Sequence, residues 1–483
     1  MLLGRVVPRR SACVSHVIRA DRRQRVLILP DVDQWIAPEH PARFVYDLVE
    51  SLDLAALNFR LPEGGEEGRP HYAPEMLLAV WLYGWMERIR SSRRLEKACL
   101  RDLAFLWLTG NHHPDHNTLW RFFRDNKRAM RALFKQTVQI AAKANLVGFA
   151  LHALDGTKIK AASSIDTALH RKTLEEHLKK LDGIVDASIA ATEAAEQEED
   201  ASFAMPAEMR DPKKRREEIQ KALKALDQEE TKHLHPAEPA ARVMKTRRGR
   251  DLAYNAQAVV DHDSDMIVAI DVSGDETDHA QMVPMIEETL ATTGRVAEQT
   301  VCDAGYFAGE QISEAQRRHL PVLVNLQAPS SKGEFAKDKF TYDRERDGYV
   351  CPRGEFLPLA TRAKPTTGKP YEVSIYRCSN RSCPVRDKCT KDKQGRSVKR
   401  TPYEVAIEKQ SDKQQMPEMR TLLRLRKEIV EHIFGIIKSI DGFTRFTVRG
   451  LVGVGAQWAL ACTAVNLRKL HAWWLVNRRI LPA

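Results

Sequence analysis

The chain has 483 residues, 43% of them hydrophobic, with 76 Lys and Arg against 65 Asp and Glu. At roughly 150 residues per domain this predicts two to four structural units, and no apolar run reaches the ~18 residues that a membrane helix requires. The formal charge of +11 and a pI near 9.2 suit a polyanionic partner held through phosphate contacts, although many basic proteins have none. Eight cysteines are present and four of them cluster, which is not the spread of a disulfide framework. A reducing cytoplasm is therefore expected.

Residues 1–26 read as a basic tail, Arg-rich and without the apolar segment of a secretory signal. Residues 27–145 read as a helical, DNA-binding domain. Met76, Leu77, Val80, Trp81, Gly84 and Trp85 recur at helical spacing. A second apolar helix is predicted over Ala98 to Leu108, a turn over Gly110 to His116, and a third helix from about Thr118. In that third helix Leu119, Phe122 and Phe123 are apolar while Arg121, Arg124, Lys127 and Arg128 form a basic face. A short helix, a turn and a basic helix fit DNA contact through Arg121 and Arg124; a plain bundle with a solvated face fits the same pattern. His112, His113 and His116 read as a polar turn, since neither an acid nor a cysteine accompanies them.

Residues 146–170 open an α/β unit. Phe149, Leu151, Ala153 and Asp155 alternate onto one face, a strand ending in an acid with a turn at Gly156. Residues 171–240 read as an inserted charged helical hairpin, with Asp211-Pro212 opening its second helix. The unit resumes over 241–326. A basic loop with Lys245, Arg247, Arg248 and Arg250 precedes strands at Tyr254–Val260 and Met266–Val272. Then come a helix from about His279 to Thr293, a strand at Thr300–Asp303, a helix near Gly309–Arg317 and a strand at Val322–Asn325. Residues 327–415 form a basic, cysteine-bearing insertion with little periodicity. Residues 416–483 close the unit with a helix from Pro417 to about Ile440 and an apolar helix from Gly453 to Trp474. The order describes a mixed sheet flanked by helices, an α/β fold of the ribonuclease H type. It carries an all-α N-terminal domain and two insertions.

Acids at the ends of buried strands are costly unless paired or metal-bound. Asp155 and Asp303 both occupy such positions, where turn chemistry is the plainer alternative. A third acid comes from the helix beginning at Pro417. Glu431 shares a helix face with Lys427, Gly435 and Lys438. Glu428, about 60° away by helical periodicity and placed toward the buried side, is its competitor. Carboxylates of this kind suit a pair of Mg²⁺ or Mn²⁺ ions, which stabilise the attacking and leaving oxygens of phosphoryl transfer. Cys351, Cys378, Cys383 and Cys389 could hold a structural zinc ion or, at longer odds, an iron–sulfur cluster. Their spacing is looser than paired Cys-x2-Cys knuckles, and unligated reduced thiols are the alternative.

Three segments resemble the DDE transposases of bacterial insertion sequences: Leu154-Asp155-Gly156-Thr157-Lys158, Cys302-Asp303-Ala304-Gly305-Tyr306, and Val430 to Lys438. The likeness extends over most of residues 29 to 470. It points within that family to the insertion sequence 1182 group, related to the insertion sequence 4 group. It implies that Asp155, Asp303 and Glu431 hold the metal ions. Lys427 stands where the family signature has Arg, and its Tyr has no match here; Lys keeps the charge but loses the bidentate fork for phosphate. The resemblance further implies cleavage at transposon ends, followed by attack of a 3′-hydroxyl on target DNA. A homo-oligomer on the terminal inverted repeats, in a bacterial cytoplasm and nucleoid-associated, is expected. An inactive DNA-binding derivative and a nuclease without strand transfer are the alternatives.

Overall fold

The computed structural model describes residues 31–61, 71–164, 237–246, 249–326, 333–366 and 370–477, with isolated positions between 165 and 236. Most of the helical hairpin expected over 171–240 lies outside the described residues, as do the basic tail, Arg247 and Arg248.

The N-terminal region is helical: α1 (Pro41–Glu50), α2 (Pro74–Met86), α3 (Ser92–Cys99), α4 (Leu103–Leu108), α5 (His116–Asp125) and α6 (Lys127–Lys143). One apolar helix was expected over Ala98 to Leu108, but two occur. Asp102 breaks the run by accepting the Ala104 and Phe105 N–H groups and so caps α4. Asp115 caps α5 through the Thr118 N–H at 2.6 Å, so this helix starts two residues before Thr118.

Six strands form a mixed sheet: β1 (Leu151–Lys160), β2 (Arg242–Thr246), β3 (Gly249–Asp261), β4 (Ile267–Ser273), β5 (Gln299–Cys302) and β6 (Val322–Val324). β3 pairs antiparallel with β1, β2 and β4, while β1, β5 and β6 run parallel. The parallel steps are bridged by α7 (Met282–Thr293), between β4 and β5, and α8 (Gly309–Arg317), between β5 and β6. Parallel neighbours need such crossovers, because a hairpin cannot join them.

The segment expected to lack periodicity contains a second, antiparallel sheet: β7 (Thr341–Asp343), β8 (Gly348–Val350), β9 (Phe356–Ala363), β10 (Val373–Arg377) and β11 (Ser397–Arg400). Its strands are short and mostly wet, so no alternation shows in the sequence. Its core is six buried side chains, Phe335, Phe340, Tyr349, Leu357, Tyr376 and Val398.

Three helices finish the chain: α9 (Glu404–Gln415), α10 (Pro417–Gly435) and α11 (Leu451–Asn477). A π-helix, Ile436–Ile440, extends α10 and closes through the Asp441 N–H to Ile436 O bond. α11 is buried along most of its length and contributes to the main core, which it shares with the N-terminal helices and both faces of the six-stranded sheet. Buried Asn466 holds both backbone groups of Ile267, receiving its N–H at 3.0 Å and donating to its carbonyl at 2.8 Å. The start of β4, in register with β3 on one side, is thereby satisfied along its other edge.

Candidate functional site

The register Leu154↔Cys302 between parallel β1 and β5 brings the next residues, Asp155 and Asp303, side by side. Adjacent strands lie about 4.8 Å apart, so the two carboxylates repel each other. Asp303 follows β5 directly and caps a short 3-10 turn, its Oδ1 accepting the Gly305 N–H at 2.8 Å.

Asp155 does not end its strand, contrary to the sequence expectation. β1 continues through Gly156 to Lys160, paired with β3 throughout. Gly156 is not a turn residue: a Cβ there would lie 2.5 Å from Gln257 Nε2 and 2.6 Å from Asp278 Oδ1. It is glycine because polar side chains press against the backbone.

Arg426 of α10 donates to Asp155 Oδ2 at 2.8 Å, and the Gly156 N–H donates to Oδ1 at 2.8 Å. Burial nevertheless pushes the Asp155 carboxyl up from 3.8 to about 6, with the charge of Asp303 acting in the same direction and Arg426 opposing. Arg426 escaped the sequence reading, though a signal existed: it sits four residues after Leu422 and three before Ile429, inside the apolar stripe. A charged residue there needs an acid partner.

A second cluster flanks the pair. Asp278 Oδ1 receives Asn255 Nδ2 at 2.6 Å, Gln257 Nε2 at 2.7 Å and, more loosely, Lys158 Nζ at 3.4 Å. Gln257 in turn accepts a hydrogen bond from the Tyr306 hydroxyl, in the turn that Asp303 caps. Asp278 lies in a polar loop with no periodicity, and nothing in the sequence marked it.

The third acid is not brought to the first two. Glu431 and Lys427 are exposed on α10, while Ile429, Val430, Ile433 and Phe434 are buried. By about 100° per residue, Glu431 sits at the edge of the buried face. Glu428, also exposed, lies farther from it, which reverses the expectation for that residue. Lys438 leaves the stripe as well. The π-helix turns each residue through a smaller angle than an α-helix, and Lys438 Nζ donates to Lys158 O at 2.9 Å. Among the described residues no three His, Cys, Asp or Glu side chains are in position to hold a metal ion. The chemistry of Asp155 and Asp303 fits a hard divalent cation, because two adjacent carboxylates, one driven toward its protonated form, gain from a shared cation.

The expected DNA-contacting residues are dispersed. Arg250 is exposed on β3, beside the tip of the β2–β3 hairpin. Arg121 and Arg124 lie on the exposed face of α5, and Arg124 is forked onto Asp125 at 2.7 and 3.0 Å. His113 and His116 bond the Cys99 carbonyl and Glu96.

Two family models match the chain. One, described as a transposase DDE domain, covers residues 350–471, which include Arg426, Glu431 and Lys438 but neither Asp155 nor Asp303. The other, described as a transposase domain (DUF772), covers residues 30–125, the helices through α5. Both support an insertion-sequence transposase, an enzyme class that acts on DNA. No curated protein matches the chain. No helix among the described residues is long and apolar enough to cross a membrane.

Proposed function

We propose that the chain is a DDE transposase of the insertion sequence 1182 group, cutting DNA at transposon ends and joining the freed 3′-hydroxyl to target DNA. The observation that carries this is the Asp155–Asp303 pair on neighbouring parallel strands, within a chain whose two ends match transposase families. The strand order β4-β3-β1-β5-β6 supports a ribonuclease H-like core. The division into 1–26, 27–145, 146–170, 171–240, 241–326, 327–415 and 416–483 belongs to the same reading.

Asp155 and Asp303 would hold Mg²⁺ or Mn²⁺, and Glu431, exposed on α10 and apart from them in this structure, would join them only when metal and DNA bind. When bound, two such ions supply charge stabilisation to the attacking and leaving oxygens. The protein's own part is positioning. Arg426 keeps the Asp155 carboxylate oriented and partly neutralised. Lys427, Lys438 and the basic Arg247, Arg248 and Arg250 contact phosphates, and Arg121 and Arg124 contact the transposon ends. The DNA partners are the terminal inverted repeats and the target, engaged by a homo-oligomer in the bacterial nucleoid.

The test is cleavage of DNA carrying the flanking inverted repeats, with Mg²⁺ or Mn²⁺, by wild type and by Asp155→Asn, Asp303→Asn, Glu431→Gln and Glu428→Gln. The first three variants lose cutting by at least ~100-fold, on the scale of electrostatic stabilisation, and Glu428→Gln keeps it. Undiminished cutting by the first three refutes the triad. DNA binding without cutting by wild type identifies an inactive derivative, and a free 3′-end that never joins target identifies a nuclease.

A further inference from the structure

The second sheet gathers four thiols that the transposase reading does not use. Cys351 follows β8, Cys378 follows β10, and Cys383 and Cys389 lie in the loop from β10 to β11. Register brings the two segments that carry them to one end of the sheet. Val350 pairs with Phe356 at the start of β9, and antiparallel β10 runs back so that Tyr376 meets Leu359. Arg377 then pairs with Ser397 at the start of β11. The Cys351 turn and the 378–396 loop therefore leave the same end of the sheet.

Both turns are built around sulfur. In Cys351-Pro352-Arg353-Gly354-Glu355 the Cys351 N–H donates to the Glu355 carbonyl at 2.9 Å and the Gly354 N–H to the Cys351 carbonyl at 2.8 Å. Gly354 takes a φ of +83°, which closes the turn. The Arg353 and Glu355 N–H groups then point at Cys351 Sγ, at 3.4 and 3.3 Å. The Asn380 N–H serves Cys378 in the same way, two residues on. A thiol sulfur is a weak acceptor, whereas a thiolate draws such donors strongly. Backbone donors of this kind commonly orient the ligands of a metal.

The loop is held in shape around the remaining two thiols. The Arg386 N–H bonds the Cys383 carbonyl at 3.1 Å and the Cys389 N–H the Val385 carbonyl at 3.0 Å. The Arg386 guanidinium collects the Asn380, Asp392 and Lys393 carbonyls. Cys351, Cys378 and Cys389 pack with Val385 against the end of the small core. All four cysteines are free and only partly exposed. Six buried side chains are a small core for a sheet with so long a loop, and units of that size need a staple.

We infer that Cys351, Cys378, Cys383 and Cys389 form a structural zinc site that fastens the β8–β9 turn to the β10–β11 loop. Four thiolates and no open position define a structural rather than catalytic zinc centre. The thiols are not in metal-holding positions in this structure. Binding would deprotonate them and draw the sulfurs together from the positions they have here.

The experiment uses the full chain, expressed with zinc available and purified without a histidine tag. Bound metal is measured by elemental analysis, release with a thiol reagent and cobalt(II) replacement. The expected result is one zinc per chain, released on thiol modification, and thiolate-to-cobalt charge-transfer bands with the visible spectrum of a tetrahedral site. Cys351→Ser and Cys383→Ser lose the metal, Cys389→His keeps it, and Cys462→Ser, buried in α11, retains a full equivalent. Wild type carrying no more zinc than the fourfold Cys→Ser variant overturns the site. Iron with inorganic sulfide in place of zinc overturns it in favour of a cluster.

Discussion

Ionisation of Asp155 should work against the fold and for the chemistry, so stability and activity should move in opposite directions with pH. In the folded protein this carboxyl titrates near 6 instead of 3.8, chiefly because it is buried and also because Asp303 adjoins it. The folded state therefore binds more protons than the unfolded chain between those values, and stability falls as pH rises through the window. Below pH 4 both states hold the proton and there is no penalty; above pH 6 the whole penalty applies. About two units correspond to about 3 kcal/mol at 1.36 kcal/mol per unit, an upper figure given the partial exposure of the site. Asp155→Asn removes the titration. Thermal melts of wild type and variant, without divalent metal from pH 4 to pH 7.5, should separate progressively, the wild type losing up to about 3 kcal/mol relative to the variant. Adding Mg²⁺ or Mn²⁺ should recover part of that loss at pH 7.5 and little at pH 4.5, and only in wild type. DNA cleavage by wild type should fall as pH drops below about 6, where the carboxyl takes up its proton. Parallel melting curves for the two proteins across this range would refute the burial and charge argument for Asp155.

Removing Arg426 should cost more than an exposed ion pair does. Arg426→Ala leaves Asp155 half-buried beside Asp303, so a destabilisation of about 1–3 kcal/mol at pH 7.5, shrinking toward pH 5, is expected in urea melts. Gly156→Ala drives a methyl into Gln257 and Asp278 and should destabilise by roughly 1–3 kcal/mol; a melting temperature equal to wild type would show that the cluster yields freely. Asn466→Ala strands the backbone N–H and carbonyl of Ile267 inside the core, at about 1–3 kcal/mol for each group. Amide exchange at Ile267 should accelerate in that variant before exchange elsewhere in the sheet does.

The sequence by itself determined the elements whose apolar pattern is strong. Gly309–Arg317 was read as a helix with the ends it has in the structure, and α2, α11 and the strands flanking the His262–Asp265 turn fell where periodicity put them. It also singled out Asp155 and Asp303, because an acid within or directly after a buried strand stands out against hydrophobic neighbours. Only the tertiary structure decided what surrounds them. The length of β1 beyond Asp155 depends on β3, about a hundred residues away, and Gly156 owes its identity to Gln257 and Asp278 rather than to a turn. Short wet strands carry no periodic signal, so the second sheet appeared only through pairing. Arg426 and Asp278 are meaningful only as partners of residues distant in the chain. Asp155 and Asp303 themselves became a pair through the parallel register of β1 and β5, a contact that α7 and its neighbours make possible and that no local pattern encodes.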